Sequence, residues 1–235
     1  MSLEDAGYRN CWLAYFDILG FKKLFENASN PNALFVIRII YEDVLLKLKA
    51  GTKQDIHTVW FSDTFIIFTP DDSPESFQDI RLLAEEFFIE CIGNEVPLRG
   101  ALSFGLFSFE SAINEGIYLG NALIDAYTFA EDTDWIGLIL TPCALERARC
   151  LHFYPERHSY RNKNIPMREI KNKQIFAFVP DYWRESRPLY PNRHPLTPVL
   201  IAMQRKAPSI AQCKYDKTIQ FFDFYYQAKG KRAHT

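Results

Sequence analysis

The chain lacks a charge excess of either sign: 27 Lys and Arg stand against 29 Asp and Glu, a formal net charge of −2. Nucleic-acid binding asks for a basic domain, so no nucleic-acid partner is expected. Paired cysteines are missing too. The five (Cys11, Cys91, Cys143, Cys150 and Cys213) are odd in number and show no C-x-x-C spacing. That argues for reduced thiols in a cytoplasmic protein rather than a disulfide framework or a zinc site. No apolar run reaches the roughly 18 residues of a membrane span, so no membrane partner is expected. The opening "MSLEDAGYRN" is polar and carries no signal-peptide pattern, and the chain has no internal repeats. A soluble, cytoplasmic protein is expected.

What is present is core material. The apolar fraction is 48%, the charged fraction 24%, and aromatics reach 15% with 20 Phe and 12 Tyr, so 235 residues suffice for a substantial, aromatic-rich core. Trp12 to Ile18 reads as a first strand. A helix follows, with Asn30 as cap, Pro31 in its first turn, Gly51 at its end, and an apolar face of Leu34, Ile37, Tyr41, Val44 and Leu48. "IHTVWF" and "TFIIF" make a hairpin with Ser62 and Asp63 at its tip. Ser73 caps a second helix that starts at Pro74, and "LRGALSFGLF" is a strand whose glycines suggest close backbone approach.

A third helix is expected from Asn121 to about Glu131, then "WIGLIL" as a buried strand and a short helix from Pro142. "IPMREI" and "QIFAFV" read as a second hairpin around Lys171, Asn172 and Lys173. Beyond Pro180 a proline- and aromatic-rich stretch reads as a surface linker, followed by one C-terminal helix. The aromatics Phe221, Phe222, Phe224, Tyr225 and Tyr226 are taken as packing of that helix. The expected division is residues 1–180 as the main domain and 181–235 as linker and helix. The fold class is an α+β or α/β sandwich, helices covering a mixed sheet.

Two acids stand out. Asp17 ends the first apolar strand in "YFDILGF", and Asp63 interrupts two apolar runs. A carboxylate at the end of a buried strand costs several kcal/mol unless solvated, paired or bound to a cation. If the two strands are neighbours, the acids meet at one edge, where bare carboxylates repel and one pKa rises. A divalent cation relieves this, and Mg²⁺ is commonly held by one or two carboxylates plus substrate phosphates. Gly20 lets the backbone come close to a phosphate. The competing interpretation is plain: Asp17 caps a turn and Asp63 is a hairpin-turn acid.

"FDILGF", "FSDTFIIF", "LRGALSFG" and "YLGNALIDA", in that order, resemble the class III nucleotidyl cyclases, and "IPMREIKNKQIFAFV" is similar to the late hairpin of that family. The resemblance covers roughly residues 12 to 179. It implies a ferredoxin-like, palm-type sandwich with helices on a mainly antiparallel sheet, plus a C-terminal helical extension. It also implies two Mg²⁺ or Mn²⁺ ions held by Asp17, Asp63 and the Ile18 carbonyl, a nucleoside triphosphate substrate met by Gly20, Phe21 and Lys171, and a homodimer that completes each site. "FDILGFKKLFEN" is also similar to the diguanylate cyclases, but the hairpin lacks their Gly-Gly-acid signature. Lys22 and Lys23 are either phosphate contacts or solvated helix lysines.

The match departs from the family pattern at four positions. The purine-reading lysine and acid fall at Val59 and Ile117, and the transition-state Asn and Arg at Ile124 and Thr128. Nearby groups that could substitute are Asn121 and Arg99, expected as catalytic residues; Asp125 reads as an exposed helix residue and His57 as structural. Two functions remain open. One is an active cyclase forming a 3′,5′-cyclic nucleotide, with cytidine or uridine triphosphate as substrate, as in the related pyrimidine cyclases of bacterial antiviral (antiphage) defence. The other is a degenerate cyclase-fold module that binds metal-nucleotide or a protein partner.

Overall fold

The computed structural model describes residues 8–21, 38–112, 115–168, 174–180 and 193–232. Among the described residues eight strands form one sheet in the order β2-β3-β1-β4-β6-β8-β7, with β5 paired to the far end of β4. They are β1 (Tyr8–Ile18), β2 (His57–Phe61), β3 (Thr64–Phe68), β4 (Leu98–Ala112), β5 (Glu115–Leu119), β6 (Gly137–Leu140), β7 (Tyr160–Arg161) and β8 (Phe176–Phe178). Among the described strands only β4 and β6 pair in parallel; the other pairings are antiparallel. The α+β sandwich on a mainly antiparallel sheet is therefore as expected.

Among the described residues six α-helices accompany the sheet: α1 (Leu46–Ala50), α2 (Pro74–Gly93), α3 (Asn121–Asp132), α4 (Pro142–Cys150), α5 (Thr197–Lys206) and α6 (Ser209–Arg232). Strand alternation decides what each face meets. The even positions of β1 point to α2: Trp12 packs on Phe77 at 4.4 Å and Phe16 on Phe87 at 5.0 Å. The odd positions point to α3, where Tyr15 meets Tyr127 edge-on at 5.7 Å. Trp12, Leu13, Phe16, Phe65, Phe87 and Phe88 are fully buried. Each contributes about 1.5–3 kcal/mol of transfer free energy.

Local chemistry explains the starts and stops. The Ser73 hydroxyl accepts from the Ser76 N–H at 3.1 Å, with Pro74 opening α2. Thr141 caps α4 through the Ala144 N–H, again just before a proline. Gly51 ends α1 with its N–H donating to the Leu48 carbonyl. The preceding segment, Ile39–Leu45, is π-helical, which brings Ile40 and Leu45, five apart, into the core. The predicted cap at Asn30 and Pro31, and Leu34 and Ile37 with it, lie outside the described residues.

Two expectations need correction. β8 does not pair with 165–168: its neighbours are β6 on one side and Tyr160–Arg161 on the other, so both edges are filled. Met167 instead bridges to Thr133. The Lys171 turn lies outside the described residues. Beyond Pro180 the chain holds a second helix, α5, whose first turn contains Pro198. At its entry the buried His194 ring binds the Pro180 carbonyl through Nε2 at 2.5 Å.

Candidate functional site

The strand register brings the two acids together. Asp17 lies opposite Thr64 of β3 on one side and Arg99 of β4 on the other. The hairpin tip is clipped to the end of β1, with the Ile18 N–H donating to the Asp63 carbonyl at 2.9 Å. Ser62, beside Asp63, takes φ +57°, which tightens that tip. Just beyond, Gly20 adopts φ +79° with open space where a side chain would be, so its backbone is reachable from solvent.

These groups line one cleft of about 530 Å³, with Phe21, Tyr127, Glu131 and Lys214. Asp17 and Arg99 are both buried, and the Arg99 Nε donates to Asp17 Oδ2 at 2.8 Å. The other end of the same guanidinium donates from Nη2 to Glu131 Oε1. One cation thus holds two carboxylates. Burial pushes the Asp17 carboxyl above the ordinary aspartate range, Arg99 opposes this, and Asp63 and Glu131 add to it. For Arg99, burial works against the charge, but Asp17 and Glu131 outweigh it and keep the guanidinium protonated.

Asp17, Ile18, Gly20, Phe21, Asp63 and Arg99 therefore share one cleft. Asn121 does not join them. It stands exposed at the opposite end of α3 from Glu131, about 15 Å away along the helix axis. It lies over Gly105, where an added Cβ would come within 2.7 Å of Asn121 Oδ1. Lys171, with Lys22 and Lys23, lies outside the described residues. Ile124 and Thr128 are exposed on the outer side of α3, while Asp125 turns inward and accepts from the Ser103 hydroxyl at 2.7 Å. His57 stacks on Phe68 at 5.1 Å.

Two charged cleft residues, Glu131 and Lys214, escaped the sequence reading. Glu131 had a usable signal, because the buried face of α3 (Ala122, Ala126, Phe129 and Ala130) fixes the direction of the helix. Lys214 had none, since its place depends on how α6 docks. Docking rests on Trp135, which meets Phe221 at 4.7 Å, and on Ile136, whose N–H donates to the Thr218 hydroxyl at 2.9 Å.

Sheet order, the β2–β3 hairpin and the helix after β5 together make this the fold of the class III adenylyl and guanylyl cyclase catalytic domains. The catalytic core of a rhodopsin-guanylyl cyclase with converted specificity, in complex with ATPalphaS, matches with a TM-score of 0.56 at 11% identity, over 73% of this chain and 96% of that one. The adenylyl cyclase CyaB from P. aeruginosa matches with a TM-score of 0.56 at 12% identity, over 76% and 97%. The guanylyl cyclase domain from Catenaria anguillulae, in complex with GTP, gives 0.55 at 10% identity, over 73% and 96%. No protein-family model matches the sequence, and no curated protein matches it. Among the described residues no helix is long and apolar enough to cross a membrane.

Proposed function

We propose that the protein is a divergent nucleotidyl cyclase that forms a 3′,5′-cyclic nucleotide from a nucleoside triphosphate, with two Mg²⁺ or Mn²⁺ ions at a homodimer interface. The observation that carries this is the meeting of Asp17 and Asp63 at one cleft rim, beside the open backbone of Gly20 and the Arg99 guanidinium.

The donor set fits a cation that arrives with its substrate. Among the described residues no group of three or more His, Cys, Asp or Glu forms a cage. Two carboxylates and a strand-end carbonyl, Ile18, match the partial coordination that Mg²⁺ takes when phosphates complete it. When bound, such ions neutralise phosphate charge and lower the pKa of the attacking hydroxyl. In the cyclisation, the ribose 3′-oxygen bonds to the α-phosphorus, the bond to the β-phosphate oxygen breaks, and pyrophosphate leaves with the hydroxyl proton released. Arg99, held at the same cleft by Asp17 and Glu131, would stabilise the charge that develops there.

The base and the dimer belong to the same reading. Val59 and Ile117 stand where the family has its purine readers, which supports cytidine or uridine triphosphate as substrate; the resemblance to the pyrimidine cyclases adds a role in antiviral signalling to the same reading. Asn121 cannot serve the cleft of its own chain, so it is assigned to the cleft of a second copy. Exposed Phe61 (79%), Ile124 (62%) and Tyr127 (51%) supply apolar surface for that contact. The absence of the Asn and Arg side chains at Ile124 and Thr128 favours a second reading: a module that binds metal-nucleotide without turnover.

The test is a panel of ATP, GTP, CTP and UTP with Mn²⁺ or Mg²⁺, read by mass spectrometry on the wild type, Asp17→Ala and Asp63→Ala. A cyclic product lost in both variants establishes the cyclase and its base. Metal-dependent binding without turnover leaves the binding module. If neither turnover nor binding appears, the acid pair is only a structural feature.

A further inference from the structure

We propose that Lys214, carried into the cleft by α6, is a substrate-binding residue whose ligand is the polyphosphate tail of the nucleotide. The inference rests on the nucleotide reading of the cleft and adds a residue that lies outside the region of family resemblance.

Three observations carry it. First, Lys214 lines the same cleft as Asp17, Asp63, Arg99 and Glu131, and it comes from the same chain, so its place needs no partner. Second, it is held there. The turn that bears it is fastened to the sheet by Thr218, whose hydroxyl accepts from the Ile136 N–H and lies within donor distance of the Ile136 and Lys214 carbonyls, at 3.1 and 2.9 Å. Trp135 against Phe221 anchors the next turns.

Third, its charge is uncommitted. Nearby cations are taken: Arg99 by Asp17 and Glu131, Lys217 and Arg168 by Asp134, Lys206 by Glu95. Lys214, half-buried, makes no ion pair among the described residues. Burial lowers its pKa, and Arg99 and Arg168 lower it further, with Asp134 opposing. Burial and the two guanidinium groups together outweigh Asp134, so an added anion is favourable at this ammonium. A polyphosphate supplies one: its oxygens accept charge-assisted hydrogen bonds from the ammonium while the acid side of the cleft holds its counter-cations.

A second cleft, of about 480 Å³, shares Leu19, Gly20 and Lys214 with the first and continues past Val96, Met203 and Tyr215. Lys214 therefore stands at a junction, with a charged space on one side and, on the other, a mainly apolar one that the Lys206–Glu95 pair also lines. That position suits a cation that fixes a polyphosphate next to the less polar remainder of a nucleotide.

The experiment is calorimetric titration of the full chain with inorganic tripolyphosphate in the presence of Mn²⁺. Wild type, Lys214→Met, Lys214→Gln, Lys214→Arg, Lys217→Met, Asp17→Ala and Asp63→Ala are compared, with the melting temperature of each as a folding check. The expected result is about 10-fold weaker binding in whichever neutral Lys214 variant folds, near-wild-type binding in Lys214→Arg, and no comparable loss in Lys217→Met. Neutral Lys214 variants that bind tripolyphosphate like the wild type overturn the assignment, even if both Asp variants lose binding and the acid-site reading stands. Loss at Lys214 with no loss at Asp17 or Asp63 keeps the lysine and removes the metal reading. A wild type that binds no tripolyphosphate removes both.

Discussion

Asp17 and Arg99 face each other across neighbouring strands, and the Arg99 Nε donates to Asp17 Oδ2 at 2.8 Å while Nη2 holds Glu131. The guanidinium occupies the acid that the proposed function assigns to a metal. Arg99→Met is expected to lower stability by about 2–3 kcal/mol, below the range for a fully enclosed pair because the cleft admits water. Urea unfolding measures this. Asp17→Asn in the same background recovers part of the loss, since the stranded charge is then gone. Mn²⁺ alone raises the melting temperature of Arg99→Met by more than that of the wild type, because no internal cation competes for Asp17. Equal shifts in the two proteins would remove Asp17 as a metal ligand.

The raised pKa of Asp17 sets a pH dependence of definite sign. The native carboxyl binds its proton more tightly than the unfolded one, so between the ordinary value of 3.8 and the raised native value the folded state carries the extra proton. Stability from this residue is therefore full below the window and falls as pH rises through it. Other carboxylates contribute their own slopes, so the quantity to read is the difference between wild-type and Asp17→Asn urea curves from pH 3 to 8 (about 25 °C, constant ionic strength). The wild type should lose ground to the variant as pH rises. The opposite trend would mean that Arg99 outweighs burial.

Where a single residue's chemistry dictates local structure, the sequence was readable. Ser73 before Pro74, Pro142 after Thr141, and the Ser62–Asp63 tip between two β-rich runs all produced the elements expected of them. The first acid of the site was legible for the same reason, as a charge at the end of a buried strand. The α5 helix was hidden because prolines crowd its entry, and Pro198, read as linker, suits a first turn equally well. Glu131 and Lys214 were hidden for another reason. Their roles come from which helix lies over which strand, and that is decided by aromatic packing far along the chain, such as Phe221 on Trp135.

Gly100 tests how tightly the site depends on the sheet beneath it. A Cβ there would lie 2.5 Å from Phe16 Cδ1 and 2.8 Å from the Tyr15 carbonyl oxygen. The ring can turn, but the carbonyl belongs to the β1–β4 ladder and moves only with the strand. Gly100→Ala is expected to cost about 2–3 kcal/mol by overpacking. Because Gly100 sits opposite Phe16, one register step from the Asp17–Arg99 pair, the same variant should also weaken Mn²⁺-dependent nucleotide binding. Calorimetric titration on the folded fraction separates the two effects. Intact binding in a destabilised protein would show that the cleft tolerates movement of β1.

The C-terminal helix provides the last test, since it supports both the core and the cleft. Thr218 is buried and satisfies the Ile136 N–H at the entry to β6. Thr218→Val keeps the shape but leaves that donor without its partner, a cost of about 1–3 kcal/mol. Phe221→Ala opens a cavity beside the fully buried Trp135, at a cost of about 3–5 kcal/mol. If α6 is an integral part of the folded unit, both variants shift one cooperative unfolding transition. An independent helical extension would instead melt in a separate, earlier step, leaving the sheet domain's transition in place. Thr218→Val also loosens the turn that carries Lys214, so its tripolyphosphate binding should weaken while Arg99 and Asp17 remain paired. Unchanged binding in that variant would mean that Lys214 is positioned by the cleft wall rather than by the Thr218 tether.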